Sequence, residues 1–326
     1  MDPFDRRSFL RISALSLGAG ALLQFAPLAS TAKGSVLRSL FHRANGEAPE
    51  SFSIVQLSDT HVGFNGPPDP LGTKAFERAV DVINALPKQP ELVLFTGDLT
   101  HDTEDAAEHE ARMRKFVEIS SRLRTKKRFH VPGEHDAGLN GGALFRTHFG
   151  ETHYSFDHRG FHFIALDNVS RGKPVVGAEQ VAWLKRDLAR YATTVPIVVF
   201  THRPLFDLKP EWEWFTRDGS DVMNLLAPYD SVTVLYGHIH RAEHTTIAHS
   251  QHHAARSLIF AFPDPATTSD KKPLAFDSAH PFANLGIRAI DVHGSTLGVH
   301  DIELTTRELS GTEGIQQVQR KGEESL

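Results

Sequence analysis

The 326-residue chain contains no cysteine. This excludes disulfides, thiolate zinc sites and a lipidated cysteine, and it leaves histidine and carboxylate as the available metal donors. Positive charge is not in excess either: Lys and Arg total 35 against 40 Asp and Glu, a formal net charge of -5. Duplex binding relies on neutralising phosphates, so nucleic acid is not favoured as a partner. No internal repeat and no clear break between domains is visible, and the one extended apolar run is too short and interrupted for a membrane span, which takes about 20 residues. With 40% hydrophobic and 23% charged residues, the composition is that of an ordinary globular protein of one or two domains. Against this background, 20 histidines stand out.

Residues 1–32 are set apart from the fold. Arg6-Arg7-Ser8-Phe9-Leu10-Arg11 resembles the twin-arginine export motif, and the run from Ile12 to Leu28 is broken by Ser13, Ser16, Gly18, Gly20 and Gln24. The segment is expected to be a signal peptide cleaved after Ala32, passing through the twin-arginine export machinery to the periplasm or the cell exterior. That route carries proteins already folded, so metal ions can be acquired before export. At the other end, residues 308–326 are polar and aperiodic and read as a disordered tail, leaving 51–305 as the folded domain.

Within that domain, short apolar runs alternate with helical patterns. Phe52 to Leu57 and Leu92 to Phe95 read as strands, and between them Phe76, Ala79, Val80, Ile83 and Leu86 recur at helical spacing up to Pro87. Glu104 to Leu123 predicts a charged helix, and Arg128 to Val131 a strand. Tyr154 to Leu166 outlines a hairpin and Gly177 to Leu188 a helix. Ile197 to Phe200 and Val232 to Tyr236 are further buried strands, and Gly286 to Leu304 is a terminal hairpin turning at Gly294.

Five of these strands lead into acidic or histidine-bearing segments: Asp59-Thr60-His61, Gly97-Asp98, Gly133-Glu134-His135-Asp136, His202, and Gly237-His238-Ile239-His240. In open α/β sheets ligands bind beyond the carboxyl ends of the strands, so a sheet delivers all five segments to one edge. A cluster of carboxylate oxygens and imidazoles is a metal site, with enough donors for two ions.

In this order the motifs are the signature of the calcineurin-like metallophosphoesterases, which the chain resembles from about Ser51 to Thr245. Within that family the short spacers look most like the cyclic-nucleotide phosphodiesterase branch. The resemblance implies an α/β fold, a β-sandwich of two mixed sheets flanked by helices, with the site at the carboxyl ends of the strands. It also implies two divalent or trivalent ions, Fe, Mn or Zn. Asp59, His61 and His240 would hold one, His202 and His238 the other, and Asp98 would bridge them and a metal-bound hydroxide would attack phosphorus. His135 matches the family's catalytic histidine, a proton donor to the leaving oxygen, and Asp136 is expected to orient it.

The departure is Glu134, where the family has asparagine. A carboxylate is a good hard donor, so Glu134 is expected to ligate the second ion with an added negative charge. A displaced second ion, or a Glu134 turned away to act as a base, are the rival outcomes. Arg203 has the shape to meet a substrate phosphate, with a rim ion pair as the equal alternative; His101 is a second candidate for substrate binding, and it and Asp102 are within reach of the site, with surface loop residues as the equal alternative. Trp212, Trp214 and Phe215 are expected to pack a long loop rather than to line the site, and His244, His249, His252 and His253 follow no metal-site template.

The resulting expectation is an exported phosphoesterase acting on a small-molecule phosphoester. The extra charge of Glu134 should disfavour a monoester, which carries one more negative charge than a diester, so a diester is expected. A phosphomonoesterase and a non-catalytic exported metal-binding protein are the alternatives.

Overall fold

The computed structural model describes residues 51–294 and 296–305. The export leader and polar tail expected from the sequence lie outside the described residues. The first half runs β1 (Phe52–Leu57), α1 (Lys74–Ala85), β2 (Leu92–Thr96), α2 (Ala106–Ser121), β3 (Arg128–Val131), α3 (Glu134–Ala137) and α4 (Ala143–Phe149). The second half runs β4 (Tyr154–His158), β5 (Phe161–Ala165), α5 (Ala178–Leu188), β6 (Ile197–Phe200), a 3-10 turn at Pro210–Trp212, α6 (Gly219–Leu226), β7 (Val232–Tyr236), β8 (Glu243–Ile247), β9 (Ser250–Ala254), β10 (Gly286–His293) and β11 (Thr296–Glu303).

These strands form two mixed sheets, five strands in the order β11-β10-β1-β2-β3 and six in the order β4-β5-β6-β7-β9-β8. The strands that carry the motifs are parallel within each sheet: β1, β2 and β3 in one, β6 and β7 in the other. The α/β expectation of two mixed sheets flanked by helices therefore holds.

Alternation along each strand explains the layers, because successive side chains point to opposite faces. Phe52, Ile54, Leu92 and Leu94 meet Phe161, Phe163, Val198, Phe200 and Leu235 between the sheets. The opposite face of the first sheet, Val55, Leu57, Val93 and Phe95, packs on Phe76, Ala79, Val80 and Ile83 of α1 and on Phe116 and Ile119 of α2. Val199, Val232 and Val234 cover Leu184 and Leu188 of α5 and Val222 and Leu226 of α6. Burial of each such side chain stabilises by roughly 1.5–3 kcal/mol.

One helix start is capped by a side chain. Asp105 closes the N-terminus of α2, its carboxylate accepting from the backbone N–H groups of Ala107 and Glu108. At the top of the sandwich Gln56 is fully buried and bridges the sheets, donating to Thr96 Oγ1 at 3.1 Å and to the carbonyl of Tyr236 at 3.0 Å. Both bonds fix the ends of motif-bearing strands. His244, His252 and His253 are polar residues of the hairpin β8–β9, and β9 extends the second sheet parallel to β7 through His252 and His253.

Candidate metal centre

The loops after β1 and β2 continue the pairing of their strands. Asp59 N–H donates to Gly97 O, His61 N–H to Asp98 O and Val62 N–H to Leu99 O, at 2.9–3.1 Å. To do this and still turn their side chains inward, Asp59, His61 and Asp98 adopt φ of 54°, 39° and 48°. His238 and His240 are likewise left-handed, at 66° and 53°. L-residues other than glycine seldom adopt this region, and such strain persists only where the surroundings enforce it. Five of the nine described non-glycine residues with positive φ are thus motif residues. Gly97, at φ +90°, sits where a Cβ would strike the His202 ring.

The side chains converge in two groups of four whose donor atoms lie within 4.8 Å of one another, Asp59, His61, Asp98 and His240, and Asp98, Glu134, His202 and His238; a third group, of His61, His101 and His135, overlaps the first. Asp98 belongs to both groups of four. Its Oδ2 is 3.4 Å from His61 Nε2 and 3.3 Å from His202 Nε2. In the second group Glu134 Oε2 is 2.8 Å from His202 Nε2, and Oε1 is 2.8 Å from His238 Nδ1. Glu134 therefore faces into the group, and does not turn away from it.

Each of the four imidazoles in the groups of four is aimed by its other nitrogen. His202 Nδ1 donates to Thr96 O at 2.7 Å, His240 Nδ1 to Phe260 O at 2.9 Å and His238 Nε2 to Glu213 O at 3.2 Å, while His61 Nδ1 meets His101 Nδ1 at 3.2 Å. Hydrogen bonds of this kind set the tautomer and orientation of metal-ligating histidines. Burial holds His61 well below its ordinary pKa, His238 at about 4 and His240 at about 3, so these rings are neutral donors.

The donor set fits a cation. Burial pushes the Asp59 carboxyl up to about 7, the mark of an anion short of positive partners. His202 Nε2 and Glu134 Oε2 are buried 2.8 Å apart, and neither finds a polar partner outside the donor groups. Buried polar atoms are normally satisfied, and a divalent ion between these two would satisfy both.

His135 stands at the edge, with Nε2 3.9 Å from Asp98 Oδ2 and its backbone N–H donating to Asp98 Oδ1 at 3.0 Å. Burial opposes its protonation, but Asp98, Asp102 and Glu134 outweigh burial and push its pKa up to about 9. The expectation that Asp136 orients this ring is corrected by the structure. The Asp136 carboxylate is fully occupied, accepting from Leu99 N–H, Thr100 N–H, Thr100 Oγ1 and Gly133 N–H at 2.8–3.0 Å. It ties the second motif to the third, and the carboxylate that reaches His135 Nδ1, at 2.8 Å, is that of Asp102.

His101 lies between, its ring stacked on His135 at 4.9 Å between centroids. Arg203 is 8% exposed and bound to Glu134 at 3.0 Å and to the carbonyl of Glu213 at 2.7 Å, so its fork is taken up by the protein. Trp212 and Trp214 are buried against Tyr236, Ile239 and Ala254 and buttress the last motif. The aromatics beside the first group are instead Phe64, Phe260 and Phe262, with Phe260 4.7 Å and Phe262 5.1 Å from the His240 ring. Sequence reading missed these three, and the Glu213 and Phe260 carbonyls, because a backbone acceptor or a lone Phe carries no motif. His244 and His253 meet each other on β8 and β9 and join none of the donor groups.

Comparison with known proteins bears on the same residues. Residues 52–242 match the family described as calcineurin-like phosphoesterase, a span that holds every motif. A probable glycerophosphodiester phosphodiesterase of Arcobacter nitrofigilis is 28% identical over 213 residues, 59% of this chain and 73% of that protein. A probable cyclic nucleotide phosphodiesterase of Synechococcus sp. is 28% identical over 202 residues, 58% of this chain and 74% of that protein. Among solved structures, a dimetal phosphatase from Danio rerio superposes with a TM-score of 0.52 at 14% identity, covering 78% of this chain and 99% of its own. GAP50 of Plasmodium does so with a TM-score of 0.52 at 13% identity, covering 83% and 94%. The likeness to these two is one of fold. With the ordered motifs, the two donor groups and a family match over more than half its length, the chain belongs to the calcineurin-like phosphoesterase family.

Proposed function

We propose that the protein is an exported phosphodiesterase working through two metal ions. The observation that carries this reading is the sharing of Asp98 between two four-residue donor groups. Asp59, His61 and His240 would hold one ion and Glu134, His202 and His238 the other, with Asp98 common to both. Bound there, a pair of ions offsets phosphoryl charge and lowers the pKa of water. Imidazole and carboxylate suit Fe, Mn and Zn alike.

The chain's own residues supply the rest. His135, held by Asp102, presents Nε2 beside Asp98, where it can give a proton to the oxygen leaving phosphorus. Asp136 keeps the second and third motifs in register. The support for a diester is the pair of relatives, one named for glycerophosphodiesters and one for cyclic nucleotides. The charge of Glu134 no longer argues for it, since Arg203 offsets that charge. Export rests on the Arg6-Arg7 leader.

The test is hydrolysis of bis-p-nitrophenyl phosphate and p-nitrophenyl phosphate by Mn-loaded protein, with metal content measured on the same sample. Diester turnover by protein with two equivalents bound is expected, and a preference for the monoester would overturn the diesterase assignment. Replacing Arg6 and Arg7 by lysine should retain the protein in the cytoplasm of its host; unchanged secretion would reject the twin-arginine route, and a wild type confined to the cytoplasm would reject export.

A further inference from the structure

We propose that Glu134 and Arg203 are a charge-compensating pair, in which Arg203 cancels the charge that Glu134 brings to the second donor group. This rests on the reading that the group holds an ion.

The geometry is specific. Glu134 Oε1 lies 3.0 Å from Arg203 Nη2 and 2.8 Å from His238 Nδ1, so one oxygen serves both the guanidinium and the donor group. Oε2 lies 2.8 Å from His202 Nε2 inside the donor group, so it faces the place that an ion would take. Arg203 is held by side-chain and backbone hydrogen bonds. Its Nη1 donates to Glu213 O at 2.7 Å, its N–H donates to Asn168 Oδ1 at 3.2 Å, and its carbonyl accepts from Asn168 Nδ2 at 2.9 Å. The same Glu213 carbonyl accepts from His238 Nε2, and Glu213 holds a left-handed φ of 60°. Arg203 thereby shares an anchor with a donor histidine.

Two consequences follow from charge alone. A buried guanidinium without its carboxylate is strongly unfavourable, so Arg203 requires Glu134 as much as Glu134 requires Arg203. With the pair intact, the second ion faces the net charge that it would meet with a neutral donor at position 134 and no arginine. An asparagine beside Arg203 would instead place an unpaired cation against the ion. The substitution at the third motif and the arginine after His202 are thus one feature, and Arg203 serves the donor group in place of the substrate phosphate.

The experiment titrates Mn2+ into metal-free full-length protein by calorimetry, for wild type, Glu134→Asn, Arg203→Met, Arg203→Lys and the double variant Glu134→Asn/Arg203→Met. Elemental analysis gives the stoichiometry and thermal unfolding verifies the fold. Glu134→Asn should weaken the second ion by about tenfold or more, about 1.4 kcal/mol per tenfold step, and the double variant should recover most of that loss. Arg203→Met alone should tighten the second ion, while Arg203→Lys, which keeps the charge, should stay within about threefold of wild type. The first ion should change little throughout. A double variant as weak as Glu134→Asn, an Arg203→Met that weakens the second ion, or a lysine variant that behaves like the methionine one would each overturn the pairing. Wild type that binds fewer than two ions would overturn the dinuclear reading itself, and that result is read before any variant is made.

Discussion

The Oδ1 of Asp102 lies 2.8 Å from Nδ1 of His135, across 33 residues of sequence. A carboxylate only accepts, so Nδ1 donates and Nε2 is left facing Asp98. The partnership links the loop after β2 to the short helix after β3 at the rim of the donor groups.

If His135 gives a proton to the leaving oxygen, Asp102→Asn should matter in proportion to how much that oxygen needs one. Turnover of a dialkyl phosphodiester is expected to fall about 10–100-fold, and that of bis-p-nitrophenyl phosphate, whose leaving group needs little help, only a few-fold. Comparing kcat for the two substrates checks this. Equal losses on both would show that Asp102 is merely structural.

Asp98 is the residue common to both donor groups. Its replacement by alanine should remove both ions, whereas His240→Ala should cost mainly the first and His238→Ala mainly the second. Elemental analysis after dialysis reads the difference. Retention of two equivalents by the Asp98 variant would contradict its shared role.

Asp136 is fully buried and accepts four hydrogen bonds, from the backbone of Leu99, Thr100 and Gly133 and from the hydroxyl of Thr100. Asp136→Ala leaves those donors unsatisfied, and an expected cost of about 3–5 kcal/mol follows from the loss of several buried bonds at once. Urea unfolding at neutral pH measures it, and a loss below 1 kcal/mol would mean that the loops find other partners.

His130 is stacked between Phe95 and Phe149, with centroids 4.9 Å and 4.3 Å away. Burial, with Arg128 adding to it, lowers its pKa to about 3. The unfolded chain therefore binds a proton near its ordinary value of 6.5 that the folded chain refuses. Its contribution to stability is present above pH 6.5 and is lost as pH falls towards 3, at up to about 1.4 kcal/mol per pH unit. His130→Phe should flatten the dependence of Tm on pH in that window and leave it unchanged above pH 7. An unaltered acid limb would remove His130 from the account.

Much of the fold was legible because its physics is local. Continuous apolar runs such as Leu92 to Phe95 mark strands covered on both faces, and the spacing of Phe76, Ala79, Val80 and Ile83 marks the buried face of α1. The bounds of β8 and β9 were not, since Glu243–Ile247 and Ser250–Ala254 are polar and histidine-rich. β9 is in the sheet because β7 offers a free edge to pair with, and His252 is buried there against Phe206.

By itself the sequence determined which atoms converge. Five segments follow parallel strands, and the pleat and polarity of those strands leave one end at which they can meet, so the donors and their order could be read from the chain. The tertiary structure decided what each donor leans on. Asp102 rather than Asp136 holds His135, Arg203 binds Glu134, and backbone carbonyls of Thr96, Glu213 and Phe260 aim three imidazoles. The physical reason is reach. A hydrogen bond forms or fails within a few tenths of an ångström near 3 Å, and that distance between loops dozens of residues apart is set only when both sheets have packed.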